Sequence, residues 1–189
     1  LLSRRQRQMC IRDSYRSKFD VKVVGVTGSV GKTTTKDMIA LVVAQKYKTL
    51  KTQGNHNNEI GMPQTLFGLD SSYEAAVIEM GMSHQGEISR MSMSCQPDVA
   101  VITNIGISHI ENLGTQENIL KAKLEILDGA AYDAPLILCR DDKLLAGVQL
   151  HSDRKVYYYS VSKKDCDVYA SGVKTAVSYT HLRAHETEL

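Results

Sequence analysis

The chain has 189 residues, 42% of them hydrophobic and 23% charged, with a formal charge of +2 at pH 7. That is enough chain for one domain with a packed core, without the charge excess of a nucleic-acid binder. No apolar run reaches the length of a membrane span; of four cysteines, Cys10 lies in a leader set aside below, and Cys95, Cys139 and Cys166 show no CxxC pairing, which fits buried thiols in a reducing compartment better than disulfides or a zinc site.

Both ends are excluded from the fold argument. Residues 1–17 open with LLSRRQRQMCIRDS, which carries four arginines, and residues 177–189 read VSYTHLRAHETEL. Both are polar and unpatterned and resemble translated adapter sequence, so a non-native leader and tail are expected around a domain at 18–176. The basic start is therefore not read as a targeting or nucleic-acid signal.

Inside those bounds strand and helix alternate. The first strand, 22–27, runs into Thr27, Gly28, Ser29, Val30, Gly31, Lys32, Thr33 and Thr34, and then into a helical segment near 32–45. A glycine loop between strand and helix wraps backbone N–H groups around phosphate, and the helix N-terminus adds partial positive charge. Lys32 supplies a mobile cation and Thr33 a hydroxyl for Mg²⁺. Val26 stands where GxxxxGK[ST] requires its first glycine, so the pattern is the shorter TGxxGKT. The reading is a nucleoside triphosphate site.

Further strands are expected at 47–52, 75–80, 98–103, 135–139 and 155–160, and further helices near 63–69, 86–94, 116–128 and 142–149. The continuous apolar runs AAVIEM, DVAVIT and PLILC suit strands covered on both faces. The expected fold is α/β: a P-loop-containing, mostly parallel, doubly wound sheet flanked by helices, with ligands beyond the carboxyl ends of the strands. Candidate site residues follow those ends. Asn55, Asn57 and Asn58 crowd the loop before Pro63, the expected helix start, and suit a polar substrate or a phosphate shell. Glu79 ends the third strand, placed to hold Mg²⁺, while Glu87 reads as a first-turn helix residue and His84 as a hydrogen-bonding loop residue. His109 lies beyond the fourth strand, and on the local pattern Lys121 and Lys123 both read as surface lysines.

TGSVGKTTT, GNHNNEIGMP, VIEMGMSHQGEI, TNIGISHIENLG and KAKLEI, in that order and spacing, resemble the Mur ligases of peptidoglycan synthesis over about residues 20–170. The second and third blocks are most similar to the branch that adds D-alanyl-D-alanine to UDP-N-acetylmuramoyl-tripeptide. The resemblance implies an ATP-dependent amide ligase of the bacterial cytoplasm, monomeric at full length. Its substrate carboxylate takes the γ-phosphoryl group, and the amine then displaces phosphate from the acyl phosphate. It further implies that the loop around Lys32 holds the phosphates, that Thr33 is on the first Mg²⁺, that Glu79 is a Mg²⁺ ligand, and that His109 binds the second Mg²⁺. Lys123 would be a carbamate formed with CO₂, which turns a cation of pKa ~10.4 into an anionic oxygen ligand. Asn55, Asn57, Asn58 and Asn104 would shape the substrate side.

Full-length family members resemble three-domain enzymes, so a uridine-binding leading domain and a closing trailing domain are expected to be missing, with weak ATP binding and no turnover for residues 1–189 alone. Three alternatives stay open: a sister ligase such as a folylpolyglutamate or cyanophycin synthetase, a P-loop switch or kinase, and a non-catalytic nucleotide-binding domain.

Overall fold

The computed structural model describes residues 15–150, 153–176 and 179–186. Cys10 and the rest of residues 1–14 lie outside them, as do 177–178 and 187–189 of the expected tail. The elements are β1 (Lys22–Thr27), α1 (Lys32–Val43), β2 (Thr49–Lys51), α2 (Gly61–Leu66), β3 (Ala75–Glu79), α3 (Glu87–Cys95), β4 (Val99–Ile102), α4 (Ile110–Leu113), α5 (Gln116–Leu124), a 3₁₀ turn (Glu125–Leu127), β5 (Leu136–Cys139), α6 (Lys143–Ala146), β6 (Val156–Ser160), β7 (Val168–Ala176) and β8 (Tyr179–Glu186).

One eight-stranded sheet runs in the order β2-β3-β1-β4-β5-β6-β7-β8, parallel throughout except for the β7–β8 pair. The alternating side chains of its parallel strands go to two different cores. Val23, Ala76, Ile78, Ala100, Ile102, Leu136 and Leu138 join the large core with Met62, Ile88, Met91, Ile119, Ile126 and Leu145 of the helices and turn. Val26, Val77 and Val101 on the other face meet Ala40 and Ile39 of α1. The asymmetry follows from connection order. Only β1 to β2 runs leftward across the sheet, so a right-handed crossover puts α1 alone on its face. The mostly parallel α/β sheet with helices on both faces is therefore present, with the layers unequally filled.

Several bounds differ from the sequence reading. The helix expected from Pro63 begins at Gly61, because the Asn58 side chain accepts from Ile60 N and Gly61 N (3.0 and 2.8 Å) and sets the turn earlier. Pro63 then occupies the first turn, where a missing N–H costs nothing. The helix expected over 116–128 tightens into the 3₁₀ turn after Leu124, and α4 and β7 were not foreseen. Residues 179–186, set aside as tail, form β8 against β7. Tyr15 and Arg16, assigned to the leader, are anchored: the Tyr15 hydroxyl donates to Leu69 O (2.8 Å), and the Arg16 guanidinium donates to Phe19 O and Val21 O (both 2.7 Å). Among the three cysteines of the described residues only Cys95 is buried; Cys139 and Cys166 are half-exposed, at a strand end and in a loop.

Candidate functional site

The carboxyl ends of β1, β3 and β4 converge on one cleft. Gly28, Lys32, Asn57, Asn58, Gly81, Met82, Ser83, Glu87, His109 and Lys123 line a volume of about 290 Å³.

The loop after β1 is held from β3 and β4. The Thr27 hydroxyl donates to Met80 O (2.8 Å), fixing the strand end. Asn104 Oδ1 accepts from Ser29 N and Val30 N (3.1 and 2.9 Å), and Ser29 Oγ accepts from Gly106 N (2.8 Å). Gly28 is required by close approach, since a Cβ there would run into the Thr103 hydroxyl. Gly31, at φ 76°, caps α1 without a side chain, which leaves the first-turn N–H groups of the helix available to an anion. Lys32 bends back to donate to Gly28 O (3.0 Å) and Ser29 O (3.3 Å). Its pKa is lowered by burial, against the opposing pull of Glu79. Thr34 and Val30 are exposed.

Glu79 is the centre of the site. Only 1% of its surface is exposed, although no side chain of the described residues forms a salt bridge with it. Oε1 accepts from Asn57 Nδ2 (2.7 Å) and Thr33 Oγ1 (3.2 Å), whereas Oε2 is buried with no hydrogen-bond partner among the described residues. A native fold seldom buries an unpaired carboxylate oxygen unless something else completes it. Asn57 reaches Glu79 because residue 81 is glycine: a Cβ there would press on the Asn57 amide at 3.1–3.2 Å.

Lys123 corrects the local reading. Lys121 is exposed as expected, but Lys123 turns into the cleft with 3% of its surface exposed. Burial, with the nearby Lys32 charge adding to it, pulls its pKa down to about 7. His109 lines the same cleft from the N-cap of α4, in a left-handed conformation (φ 65°) that a non-glycine residue adopts at a cost.

Lys32, Thr33, Glu79, His109, Lys123, Asn57 and Asn58 are thus brought together, with Asn104 just behind the phosphate loop. Asn55 is exposed and does not line the cleft. Two contributions were missed in the sequence. Gly81 carried a signal, as a glycine directly after a strand end. Glu125 carried none, because its partners lie 36 and 39 residues away: its carboxylate accepts from Gly86 N (2.7 and 2.9 Å) and Ser89 N (3.2 Å), tying α3 to the turn after Lys123. Glu87, expected in a first helical turn, accepts from Ser83 N and His84 N (2.7 and 3.2 Å), which shapes the cleft wall.

Fold and site together define a P-loop α/β domain in which a buried carboxylate and a buried lysine face the phosphate loop. The Mur ligase middle-domain model matches residues 26–188, a span that includes most of the segment set aside as tail, and the chain belongs to the Mur ligase family, a family of ligases. It is 41% identical over 182 residues to the UDP-N-acetylmuramoyl-tripeptide–D-alanyl-D-alanine ligase of Bacillus subtilis (strain 168), covering 91% of this chain and 40% of the relative. A crystal structure of MurF from Acinetobacter baumannii superposes with a TM-score of 0.91 at 30% identity, over 98% of this chain and 41% of that protein. MurF ligase from Thermotoga maritima in complex with ADP gives a TM-score of 0.86 at 29% identity, over 98% of this chain and 45% of that one. The chain therefore spans about two fifths of the length of these relatives.

Proposed function

We propose that this chain is the nucleotide-binding middle domain of a longer bacterial cytoplasmic enzyme that joins D-alanyl-D-alanine to UDP-N-acetylmuramoyl-tripeptide at the expense of ATP. The observation that carries the reading is the orphaned Oε2 of Glu79, buried within a phosphate-loop cleft that also holds Lys32 and Lys123. The relatives' names supply the substrates, and the ADP of the T. maritima complex supports the choice of nucleotide.

Joining a carboxylate to a triphosphate brings two anions together, so electrostatic stabilisation is the main demand on the site. Lys32 and the open N-terminus of α1 meet it with a mobile cation and fixed N–H dipoles around the phosphates. Thr33 and Glu79 would hold one Mg²⁺, and His109 with a carbamylated Lys123 a second. Bound there, Mg²⁺ would neutralise phosphate charge and polarise the transferring phosphoryl group. Among the described residues no three His, Cys, Asp or Glu side chains cluster into a ready cage. That suits ions shared with nucleotide oxygens rather than held by protein alone. Lys123 fits the carbamate: an amine with a pKa near 7 is largely neutral at physiological pH, and only a neutral amine adds to CO₂, releasing a proton as the N–C bond forms. Asn57 orients Glu79, and Asn104 keeps the phosphate loop in its binding shape. The 189-residue chain alone is expected to bind ATP weakly and to turn nothing over.

The test is phosphate release by the full-length protein with Mg-ATP, bicarbonate and UDP-N-acetylmuramoyl-tripeptide, with and without D-alanyl-D-alanine. Release that requires both substrates supports the reading. Release driven by glutamate and a folate would move the protein to a sister ligase, and ATP binding without release to any acceptor would leave a nucleotide-binding domain.

A further inference from the structure

Lys36 is a buried ammonium that nothing above employs. It lies one turn beyond Thr33 on α1, with 2% of its surface exposed. Its Nζ donates to Thr52 O (2.9 Å) and stands 3.1 Å from Asp37 Oδ1. Asp37 is shared with Lys51, whose Nζ meets the same oxygen at 2.7 Å and contributes the larger hydrogen bond to the lowering of the Asp37 pKa, with Lys36 second. An ammonium taken out of water is costly, and helix-to-strand packing alone would be served as well by methionine or leucine. Its cost calls for a use.

Thr52 leads from Lys36 to the site. This residue follows β2 and is fully buried. Its N–H donates to Val77 O (3.1 Å), and its hydroxyl oxygen accepts from Glu79 N (2.9 Å). A continuous path therefore runs from the Lys36 ammonium through Thr52 to the backbone of Glu79, whose carboxylate meets Thr33 of the same helix that carries Lys36. The loop of closed contacts pins α1, with its phosphate-binding Lys32 and Thr33, to the strand tip that carries Glu79.

We infer that Lys36 is a positioning residue for the metal and phosphate site, fixing through Thr52 where the Glu79 carboxylate points relative to Thr33 and Lys32. The inference rests on the proposed reading of Thr33 and Glu79 as metal holders. Partners in direct contact with a ligand residue, as Thr52 is with Glu79, are worth about 10- to 100-fold in metal affinity, and Lys36, one contact further out, is expected at the lower end of that range.

The test uses Mn²⁺ as the probe, with bound and free ion separated by electron paramagnetic resonance in the presence of ATP, on the full-length protein. Lys36→Met is expected to weaken Mn²⁺–ATP binding by about tenfold or more, and Thr52→Val by a similar factor. The double variant should lose no more than the worse single one, since both changes cut the same path. Lys36→Arg, which keeps a cation within reach of the Thr52 carbonyl, should recover most of the affinity. Val23→Ala, a core change at the opposite end of β1, should lower the melting temperature and leave Mn²⁺ affinity unchanged. A purely structural lysine predicts otherwise: affinity in Lys36→Met equal to wild type, or lost in step with the melting temperature across all variants, overturns the inference. Should Lys36→Met fail to fold, unchanged affinity in Thr52→Val overturns it. Failure of the wild-type protein to bind Mn²⁺–ATP overturns the metal-site reading and the inference with it, whereas wild-type binding with indifferent variants overturns the inference alone.

Discussion

The two ends of the parallel sheet are built by opposite rules. At the end where β1 and β4 begin, charge meets charge: Lys22 Nζ donates to Asp98 Oδ1 (3.1 Å), and Asp98 Oδ2 accepts from Val23 N (2.8 Å). At the end where those strands finish, the half-buried Lys32 stands near the buried Lys123, and Glu79 keeps a carboxylate oxygen without a hydrogen-bond partner among the described residues. Both arrangements come from the same strands, so the difference is not one of fold. The first end is complete as it stands. On the proposed reading the second is completed by the nucleotide and metal ions it binds, and binding would offset the electrostatic cost of its buried charges.

The largest effect should come from the charges at the incomplete end. Lys32→Ala in the full-length protein is expected to lower kcat/KM by about a thousandfold, the scale of losing a preorganised charge at a transferring phosphoryl group, with the melting temperature little changed. Phosphate release measured beside a thermal melt checks both halves of this statement. A large loss of stability with it would mean that the lysine serves the fold, and the contrast between the two ends would fail.

Lys123→Met should separate stability from function most sharply. Phosphate release should be lost, while the melting temperature, taken without metal or bicarbonate, should rise. The folded pKa of about 7 lies below the unfolded value near 10.5, so between these pH values the unfolded chain binds more protons and wild-type stability climbs with pH. Below pH 7 both states carry the proton and the burial penalty is complete. The advantage of methionine should therefore be greatest at pH 7 and below and shrink as pH approaches 10.5. Each tenfold loss of proton affinity on folding corresponds to about 1.4 kcal/mol, so the full penalty is a few kcal/mol. An advantage independent of pH would show that packing, not charge, separates the two side chains.

How far the sequence revealed each end depended on whether the cause was local. The phosphate loop was legible because glycine freedom, helix start and lysine lie within a few consecutive residues. Glu79 and His109 were legible because parallel strands deliver their ends to one place. Lys123 was not, on local pattern: Lys121 and Lys123 look alike in a helix, and only the packing of α5 separates an exposed lysine from a buried one. The family resemblance found it where periodicity could not. Lys36 was invisible for the same reason, because its partner Thr52 sits on another element, 16 residues away. In the fold, β7 was missed because VYASGVKTA interrupts its apolar alternation with Gly172 and small polar residues, so its identity depends on pairing with β6 and β8.

A smaller effect is expected where the loop is held from behind. Asn104→Ala leaves Ser29 N and Val30 N without their side-chain acceptor. The buried Ser29 N–H keeps the Asn104 backbone carbonyl as an acceptor (3.0 Å) and Val30 is exposed to solvent, so part of what is lost is replaced and stability should fall by about 1 kcal/mol. The KM for ATP should rise several-fold while kcat holds, because the loop must be ordered again by the nucleotide. A kcat that falls while KM holds would place Asn104 in contact with the reacting groups and not behind the loop.

The smallest effect belongs to the complete end. Asp98→Asn keeps an oxygen that can accept from Val23 N but removes the charge facing Lys22, whose pKa Asp98 raises above 10.5 through its hydrogen bond and its charge. The pair is therefore intact throughout the physiological pH range, yet Lys22 stands in water, where solvent screens the attraction and side-chain freedom offsets it. Urea titration should give a midpoint indistinguishable from wild type, and phosphate release should not change. An altered KM for ATP in this variant would be more informative than an altered midpoint. It would mean that a charge at the start of β4 is felt at its far end, where His109 and Asn104 follow the strand, and the sheet could no longer be regarded as two independently built ends.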